Sequence, residues 1–323
     1  MKAVIPDRAG GPEVLSLVER PVPTPDAQQV CIRVKAAGLN RHDLNQRSRG
    51  QPPVGSTDIL GLEVAGHVSA LGAGVDPKLL GRKVCALVDG GGYAEYTLAD
   101  PALLFDWPDP LTAAQAACLP EAMVTLQLNL IELGGLSAGQ TLLIHGGTSG
   151  IGMAAIPFAC WLGVDVIVTA GSDEKCTRAI AQGARAAINY RSHDFVAQVL
   201  SLTDARGADV ILDTVGGAYA QRNLAALAPD GRIVHLSPAA PDYSVPLGQL
   251  MAKRARVTGA LLRALPLPRK AALANDLRAK VWPLVTSTLC PVIDRCFPLA
   301  DAAAAHQYME NGGHIGKIAL LVD

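Results

Sequence analysis

The sequence has little charge, few aromatic side chains and no paired cysteine motif. Charged residues make up 18% of the 323 residues and aromatic residues 4%, whereas hydrophobic residues make up 50%. The net charge of −1 gives no electrostatic basis for binding nucleic acid or an anionic membrane surface. So low a charged fraction predicts that part of the surface is buried against a second subunit.

The seven cysteines stand apart, at positions 31, 85, 118, 160, 176, 290 and 296, without a CxxC pair. This spacing is typical of reduced thiols in a cytoplasmic protein, and we expect most of them to be small core residues. The N-terminal MKAVIPDRAGG lacks the apolar core of a signal peptide. The longest uncharged stretch, residues 133–164, has the length of a membrane span, but its GGTSG turn would leave backbone groups unpaired in lipid. We therefore expect a cytoplasmic protein with no membrane segment.

What the sequence does contain is a glycine-rich turn between an apolar strand and a helix. Thr141–His145 has the apolar run of a buried strand, residues 151–162 have helical spacing, and residues 164–169 form a second apolar run. The turn holds Gly146, Gly147, Gly150 and Gly152. A strand–turn–helix–strand unit of this kind offers the helix N-terminus to a pyrophosphate. Such turns also occur without a ligand, so the glycines alone leave that alternative open.

The end of the second strand indicates which dinucleotide the unit binds. NAD-binding units place an acid there, about 20 residues after the glycines, to hold the ribose 2′-hydroxyl. This chain has Gly171 and Ser172 there, followed by Lys175, and a hydroxyl with an ammonium suits a 2′-phosphate. Asp173 and Glu174 are better explained as first-turn residues of the next helix. We therefore predict that the cofactor is NADPH.

The remaining pattern predicts an α/β fold with two kinds of domain. Short strand candidates punctuated by glycine and proline fill residues 1–120 and suggest a small barrel or sandwich. Alternating strands and helices then predict a doubly wound parallel sheet, ending in a strand at 256–261. Helices are expected at 121–133, 151–162, 173–182, 192–202, 216–227, 268–286 and 299–311. Pro157 conflicts with the second of these, so we expect a kink there or a later helix start.

Several runs together resemble one family: GGPEVL, AAGLNRHDL, ILGLEVAGHV, GGGYAEY, HGGTSGIG, TAGSDEK, INYR and the closing HIGK. They are similar to the zinc-free, zeta-crystallin-like quinone oxidoreductase branch of the medium-chain dehydrogenase/reductase superfamily, and most similar to its tumour-suppressor-inducible subgroup. The resemblance covers essentially the whole chain. It implies a β-rich GroES-like catalytic domain at 1–121 and 263–323, around a Rossmann domain at 122–262 that binds NADPH.

The resemblance also bears on zinc. Zinc alcohol dehydrogenases of the superfamily carry a Cys where this chain has Asn40, and Gly-His-Glu where it has Gly61-Leu62-Glu63. A catalytic zinc needs about three N, S or carboxylate ligands. Two of the expected ligands are replaced, and the lobe for a structural zinc is missing, so we expect no metal. His42 and His67 are the remaining candidate ligands, and a surface or strand position explains each of them better.

By position, the resemblance assigns the catalytic role to Asn40, beside the nicotinamide and the substrate carbonyl. It assigns cofactor contacts to Asn40, Thr125, Gly147, Thr148, Ser149, Gly150, Ile151, Gly171, Ser172, Lys175, Tyr190, Ser237, Leu261 and Lys317. Four of these have plain structural alternatives. Asn40 could cap a loop, Thr125 could be a packed helix residue, Tyr190 could end a strand, and Lys317 could lie on the surface.

One departure from the family affects the chemistry. Relatives carry a tyrosine before the Pro-Pro of the loop that faces the substrate, whereas this chain reads RSRGQPPVG over 47–55. The role of that phenol would fall to water, to Asn40 or to another residue. Tyr93 is a candidate, although a barrel position explains it better.

The family implies hydride transfer from NADPH to a quinone without metal. An α,β-unsaturated ketone or aldehyde is the alternative substrate, and a non-catalytic, structural or regulatory NADPH-binding protein is the alternative from another class. We expect no nucleic-acid or membrane partner. The edge strand at 256–261 predicts a homodimer through a continuous sheet. The alternative is an edge covered by the loop at 266–268.

Overall fold

The computed structural model describes residues 1–52, 56–236 and 242–323. The chain forms two compact units. The first, the catalytic unit, is Met1–Val124 with Pro266–Asp323, and the second, the nucleotide unit, is Thr125–Leu265. The units change at Val124 and Pro266, where the sequence interpretation places the changes after residues 121 and 262.

In chain order, the strands of the two units are β1 Lys2–Pro6, β2 Leu15–Glu19, β3 Val30–Gly38, β4 Glu63–Leu71, β5 Lys83–Leu87, β6 Tyr96–Ala99, β7 Leu104–Asp106, β8 Thr141–His145, β9 Asp165–Ala170, β10 Ala186–Asn189, β11 Ala208–Asp213, β12 Leu227–His235, β13 Arg256–Gly259, β14 Ile293–Pro298 and β15 Lys317–Leu321. The helices are α1 Arg41–Arg49, α2 Ala113–Ala117, α3 Pro120–Leu126, α4 Gly150–Trp161, α5 Asp173–Ala181, α6 Phe195–Leu202, α7 Tyr219–Ala226, α8 Leu247–Ala252, α9 Leu267–Lys280 and α10 Ala302–Glu310.

The catalytic unit is built on a mainly antiparallel sheet in the order β14-β15-β3-β4-β5-β7, with β6 also paired to β3. Strand β3 is buried along most of its length because it has neighbours on both sides. Small and branched apolar side chains from β3, β4, β5 and β15 form the core with residues of α10. This β-rich unit is the GroES-like domain that the sequence predicts.

The nucleotide unit holds one parallel sheet in the order β10-β9-β8-β11-β12-β13. Numbered along the chain, this is the order 3-2-1-4-5-6 of the dinucleotide-binding fold. Every residue of β8 and β11 is buried, as expected for central strands covered on both faces. The predicted doubly wound sheet is confirmed, and β13 lies at its edge as predicted.

Several helix boundaries differ from the prediction for local reasons. The helix predicted from Gly216 begins at Tyr219, because Gly216 and Gly217 have left-handed backbones with φ of 70° and 54°. The helix predicted to reach 286 ends at Lys280, and Pro283 then lies in a separate turn, Trp282–Leu284. The helix predicted over 121–133 is α-helical only to Leu126 and continues as a π-helix over Gln127–Leu133.

The later start considered for the helix containing Pro157 is wrong. Helix α4 begins at Gly150 and runs through Pro157 to Trp161, with Ser149 as its cap. The predicted kink stays a prediction. Strand β7 and helices α2 and α8 are elements that the sequence pattern does not predict.

All seven cysteines are free, but only Cys31, Cys85 and Cys118 are buried. The prediction that most of the cysteines lie in the core is therefore wrong.

In the part of the chain that the structure describes, no helix combines the length and the apolar character needed to cross a membrane.

Candidate functional site

The catalytic unit places three polar side chains at one end of its sheet. Asn40 follows β3, Glu63 is the first residue of β4, and Lys317 is the first residue of β15. Because β3 pairs antiparallel with both β4 and β15, the end of β3 meets the start of its two neighbours. The site is therefore a consequence of strand order, and residues 277 positions apart come into contact.

Lys317 is buried, with 5% of its surface exposed. Its ammonium donates to Asn40 Oδ1 at 2.7 Å, to the Leu39 carbonyl at 2.8 Å and to Glu63 Oε1 at 2.6 Å. An ammonium has three N–H donors, and each has a protein acceptor here. The surface position considered for Lys317 is wrong, and a cofactor contact would require one of these bonds to be given up.

Glu63 is fully buried and uses both carboxylate oxygens. Oε1 accepts from Lys317 and from Asn40 Nδ2 at 3.0 Å, and Oε2 accepts from the backbone N–H of Glu121 at 2.9 Å. A Cβ at Gly38 would lie 2.3 Å from Glu63 Oε1, so glycine is needed to leave room for the carboxylate. Burial is the largest single effect on the pKa of Lys317 and lowers it, but the Glu63 charge and hydrogen bond, together with the Cys118 and Glu121 charges, raise the pKa overall.

These partners fix the orientation of the Asn40 amide. Oδ1 faces an ammonium, which can only donate, and Nδ2 faces a carboxylate, which can only accept. The second amide hydrogen points to the Gly38 carbonyl at 3.4 Å, a long contact. Asn40 is therefore held by charged groups on two sides.

A buried chain of hydrogen-bonded polar groups holds the backbone N–H of Asn40. Arg47 Nη1 donates to His306 Nδ1 at 3.4 Å, so Nε2 carries the proton and donates to Tyr93 Oη at 3.2 Å. Tyr93 in turn donates to Asp43 Oδ2 at 3.1 Å, and that oxygen also accepts the Asn40 N–H at 2.8 Å. Burial, and then the Arg47 charge, lower the pKa of His306 to about 3, so its ring is neutral at physiological pH.

Tyr93 is thus a fully buried residue in the core of the catalytic unit, as its barrel interpretation predicts. Its hydroxyl holds Asp43, whose pKa burial raises to about 6 against the opposing effect of its hydrogen bonds. Pro53, Val54 and Gly55, in the loop that lacks the family tyrosine, lie outside the described residues.

In the nucleotide unit, the glycine turn joins β8 to α4. A Cβ at Gly147 would lie 2.4 Å from Val168 Cβ, and one at Gly152 would lie 2.5 Å from the Gly146 carbonyl oxygen. Ser149 Oγ accepts the Gly152 N–H at 3.0 Å and caps the helix. Three of the predicted contact residues, Ser149, Gly150 and Ile151, are partly exposed, whereas Gly147 and Thr148 are buried.

The predicted phosphate-binding residues follow β9. Ser172 caps α5 and accepts the Lys175 N–H at 3.2 Å, which leaves its hydroxyl hydrogen available to another acceptor. Asp173 and Glu174 lie in the first turn of α5, as predicted. Tyr190 is 41% exposed, and its hydroxyl would lie 2.9 Å from a Cβ at Gly171.

Arg191 is a further candidate that the sequence interpretation does not assign. Its Nε would lie 3.7 Å from a Cβ at Gly171, next to Tyr190. An arginine beside a predicted phosphate site is the signal that could have identified it.

Two of the remaining predicted residues, Thr125 and Leu261, have described surroundings. Thr125 is buried in α3, and its carbonyl accepts Asn129 Nδ2 at 2.8 Å. Leu261 lies past the end of β13, which stops at Gly259, and is 63% exposed. Ser237 lies outside the described residues.

The described parts of the chain contain no group of three or more His, Cys, Asp or Glu arranged to hold a metal ion. The Lys317 ammonium lies 2.7 Å from Asn40, at one of the positions where zinc relatives carry a ligand. The Lys317 ammonium is therefore a cation of the protein itself that lies among the side chains at this end of the sheet.

Comparison with known proteins agrees with this architecture. Residues 26–109 match the alcohol dehydrogenase GroES-like domain, and residues 150–279 match the family described as zinc-binding dehydrogenase. The chain therefore belongs to the medium-chain dehydrogenase/reductase superfamily.

Within the superfamily, the full chain is similar to quinone oxidoreductases. It is 31% identical over 328 residues to quinone oxidoreductase of Sus scrofa, covering 100% of this chain and 98% of that one. The crystal structure of Escherichia coli quinone oxidoreductase complexed with NADPH superposes with a TM-score of 0.90 at 27% identity, over 99% of this chain and 100% of that chain.

A much larger protein also matches. The chain is 33% identical over 319 residues to a component of the phenolphthiocerol/phthiocerol polyketide synthase of Mycobacterium tuberculosis, and the match covers 98% of this chain. The chain spans only 14% of that protein's length.

Replacing Lys317 with Met should destabilise the catalytic unit by about 3–5 kcal/mol, because it leaves the buried Glu63 carboxylate without its cation. Urea denaturation measures the loss. The double variant Lys317→Met, Glu63→Gln also removes the unpaired carboxylate, so it should recover part of the lost stability. Lys270→Met is the matched control, since Lys270 is also buried but its partner Asp89 is 60% exposed. Equal losses for Lys317→Met and Lys270→Met would contradict this account.

Proposed function

We propose that the protein is an NADPH-dependent quinone oxidoreductase that works without metal. The observation that carries the proposal is the buried Lys317 ammonium, which holds Asn40 and Glu63 by direct hydrogen bonds. A cation fixed by the chain itself thus occupies this end of the sheet. The full-length similarity to quinone oxidoreductases supports the same function.

The residues of the nucleotide unit fit NADPH. Glycine at 147 and 152 lets the turn pack closely against Val168 and against its own backbone, and the N-terminus of α4 would offer N–H groups to a pyrophosphate. Ser172 and Lys175 would hold the 2′-phosphate, and Tyr190 would pack by it and the adenine. When bound, NADPH supplies a hydride from C4 of its nicotinamide.

The catalytic unit would orient the acceptor. Asn40 cannot rotate without losing a bond to Lys317 or to Glu63. It would therefore present a fixed surface to the substrate carbonyl. Fixed polar groups need no reorganisation while charge develops on the substrate oxygen. A quinone suits such a site because its hydroquinone anion is stable enough to be protonated later.

The direct test is NADPH consumption, followed through its absorbance, with a panel of quinones and enones. We expect turnover with quinones and much slower turnover with NADH. No consumption with any acceptor would favour a non-catalytic NADPH-binding protein.

Metal independence follows from the same site. Activity should survive exhaustive dialysis against a chelator, because Asn40 and Leu62 stand at the zinc-ligand positions and Lys317 supplies the cation. Metal analysis should find zinc well below one atom per chain. A stoichiometric zinc whose removal ends turnover would refute this part of the proposal.

Replacing Lys175 with Ala should weaken NADPH binding by about 1.5–3 kcal/mol, the usual size of a lost charge-assisted hydrogen bond. NADH has no 2′-phosphate, so its affinity should change little. Titration calorimetry with both nucleotides measures the difference. Lys78→Ala, in the catalytic unit, is the control and should leave both affinities unchanged. An equal loss for NADPH and NADH in Lys175→Ala would show that this residue does not contact the 2′-phosphate.

We also propose a homodimer through the edge of the nucleotide-unit sheet. Just before edge strand β13 in the chain, helix α8 exposes 70% of Leu247 and 75% of Met251, one helical turn apart. Val257 on β13 and Leu261 just after it are also exposed. A second copy across a two-fold axis would cover these side chains and extend the sheet.

Replacing Met251 with Glu should split this dimer, because it puts a charge into the apolar contact without touching the fold of the monomer. Sedimentation at micromolar concentration should show a dimer for the native protein and a monomer for the variant. Leu80→Glu, at a leucine 58% exposed in the catalytic unit, is the matched control and should remain dimeric. A native monomer would overturn the proposal.

A further inference from the structure

The cluster around Asn40 has few protons left to give. All three N–H groups of Lys317 have acceptors, and both amide hydrogens of Asn40 point to Glu63 and Gly38. The Tyr93 hydroxyl donates to Asp43. A substrate whose oxygen becomes negative after hydride transfer would therefore find these donors already engaged.

Glu121 differs from these groups. It lies in the first turn of α3, and its backbone N–H donates to Glu63 Oε2 at 2.9 Å. This bond places its residue directly beside the Lys317–Glu63 pair. Among the residues that the structure describes, none forms a hydrogen bond to the Glu121 carboxyl, and the residue is only partly buried. The residue is therefore joined to the cluster through its backbone and is itself partly exposed.

Burial and the surrounding charges together set the protonation of Glu121. The charges come from Glu63 at the start of β4, Lys317 at the start of β15, Asp43 on α1 and Lys270 on α9. Burial first, and then the Glu63 charge, raise the pKa of Glu121 to about 8, against the opposing effect of the two lysines. The carboxyl is therefore mostly protonated at neutral pH and loses its proton as the pH rises through about 8.

We propose that Glu121 donates a proton to the substrate oxygen, in place of the tyrosine that this chain lacks. The inference rests on the proposed function. The substrate takes up a hydride from the cofactor, and the electron pair released from its double bond moves to the carbonyl oxygen. The O–H bond of Glu121 then breaks, an O–H bond forms on that oxygen, and the carboxylate is reprotonated from water.

The demand on Glu121 depends on the acceptor. An enone leaves a strongly basic enolate and gains most from a placed acid, whereas a hydroquinone anion is far less basic. The protein would thus serve enones as well as quinones, with Glu121 setting the ratio between them. This identifies Glu121 as a residue that determines substrate class.

Replacing Glu121 with Gln tests the proposal, because an amide keeps the shape but cannot transfer a proton. We expect kcat with an enone to fall about 100-fold, within the usual range for a lost general acid, and to fall much less with a quinone. The native kcat with the enone should fall about tenfold for each pH unit above 8, and the variant should lose this dependence. Glu19→Gln, whose carboxyl is 76% exposed on β2, is the control and should retain the native profile.

The outcomes separate the two claims. If the native protein reduces quinones and Glu121→Gln keeps the native rate and pH profile with enones, the inference fails and the proposed function stands. If the native protein consumes no NADPH with any of the quinones or enones, both the inference and the proposed function fail. Should the variant not fold, the native profile still decides, because an enone kcat that is constant from pH 6 to about pH 10 overturns the proposal.

Discussion

The catalytic unit depends on one buried ion pair, between Lys317 and Glu63. Either charge alone at these positions would cost several kcal/mol, so each is stable only with the other. The pair is satisfied almost completely, with Leu39 and Asn40 taking the other two ammonium hydrogens and Glu121 supplying an N–H to the far carboxylate oxygen. Because Asn40 bonds to both members, the ion pair also sets the orientation of the amide that would face the substrate.

The sheet makes this arrangement possible. Strand β3 has β4 on one side and β15 on the other, so residues from three distant parts of the chain meet where those strands begin and end. The Arg47–His306–Tyr93–Asp43 chain holds the backbone of Asn40 from the core side, with α10 supplying His306. A relative with zinc would need ligands at Asn40 and Leu62. In this chain the Lys317 ammonium lies 2.7 Å from Asn40 Oδ1.

The glycine turn, the doubly wound parallel sheet of the nucleotide unit and the first turn of α5 at Asp173 and Glu174 could all be predicted, because each is visible in the local pattern of the sequence. The burial of Lys317 could not be predicted, because HIGK at the end of the chain has the pattern of an exposed turn and only the pairing of β15 with β3 buries the lysine. Glu121 was hidden for the same reason: its neighbour Glu63 is 58 residues away, and only the fold brings the Glu121 backbone N–H to the Glu63 carboxylate. Local glycines at 216 and 217 and Pro283 shifted helix ends that periodicity alone extends too far.

The most direct test of the central claim is the charge state of Lys317 itself. Lysines labelled with 13C at Cε can be followed by NMR as the pH rises, and Lys317→Met identifies the resonance. A charged, ion-paired Lys317 predicts a signal that remains at its ammonium position beyond pH 10.5, the ordinary lysine pKa. Titration near or below that value, or a neutral amine at pH 8, would contradict the account of Lys317 as the fixed cation of the site.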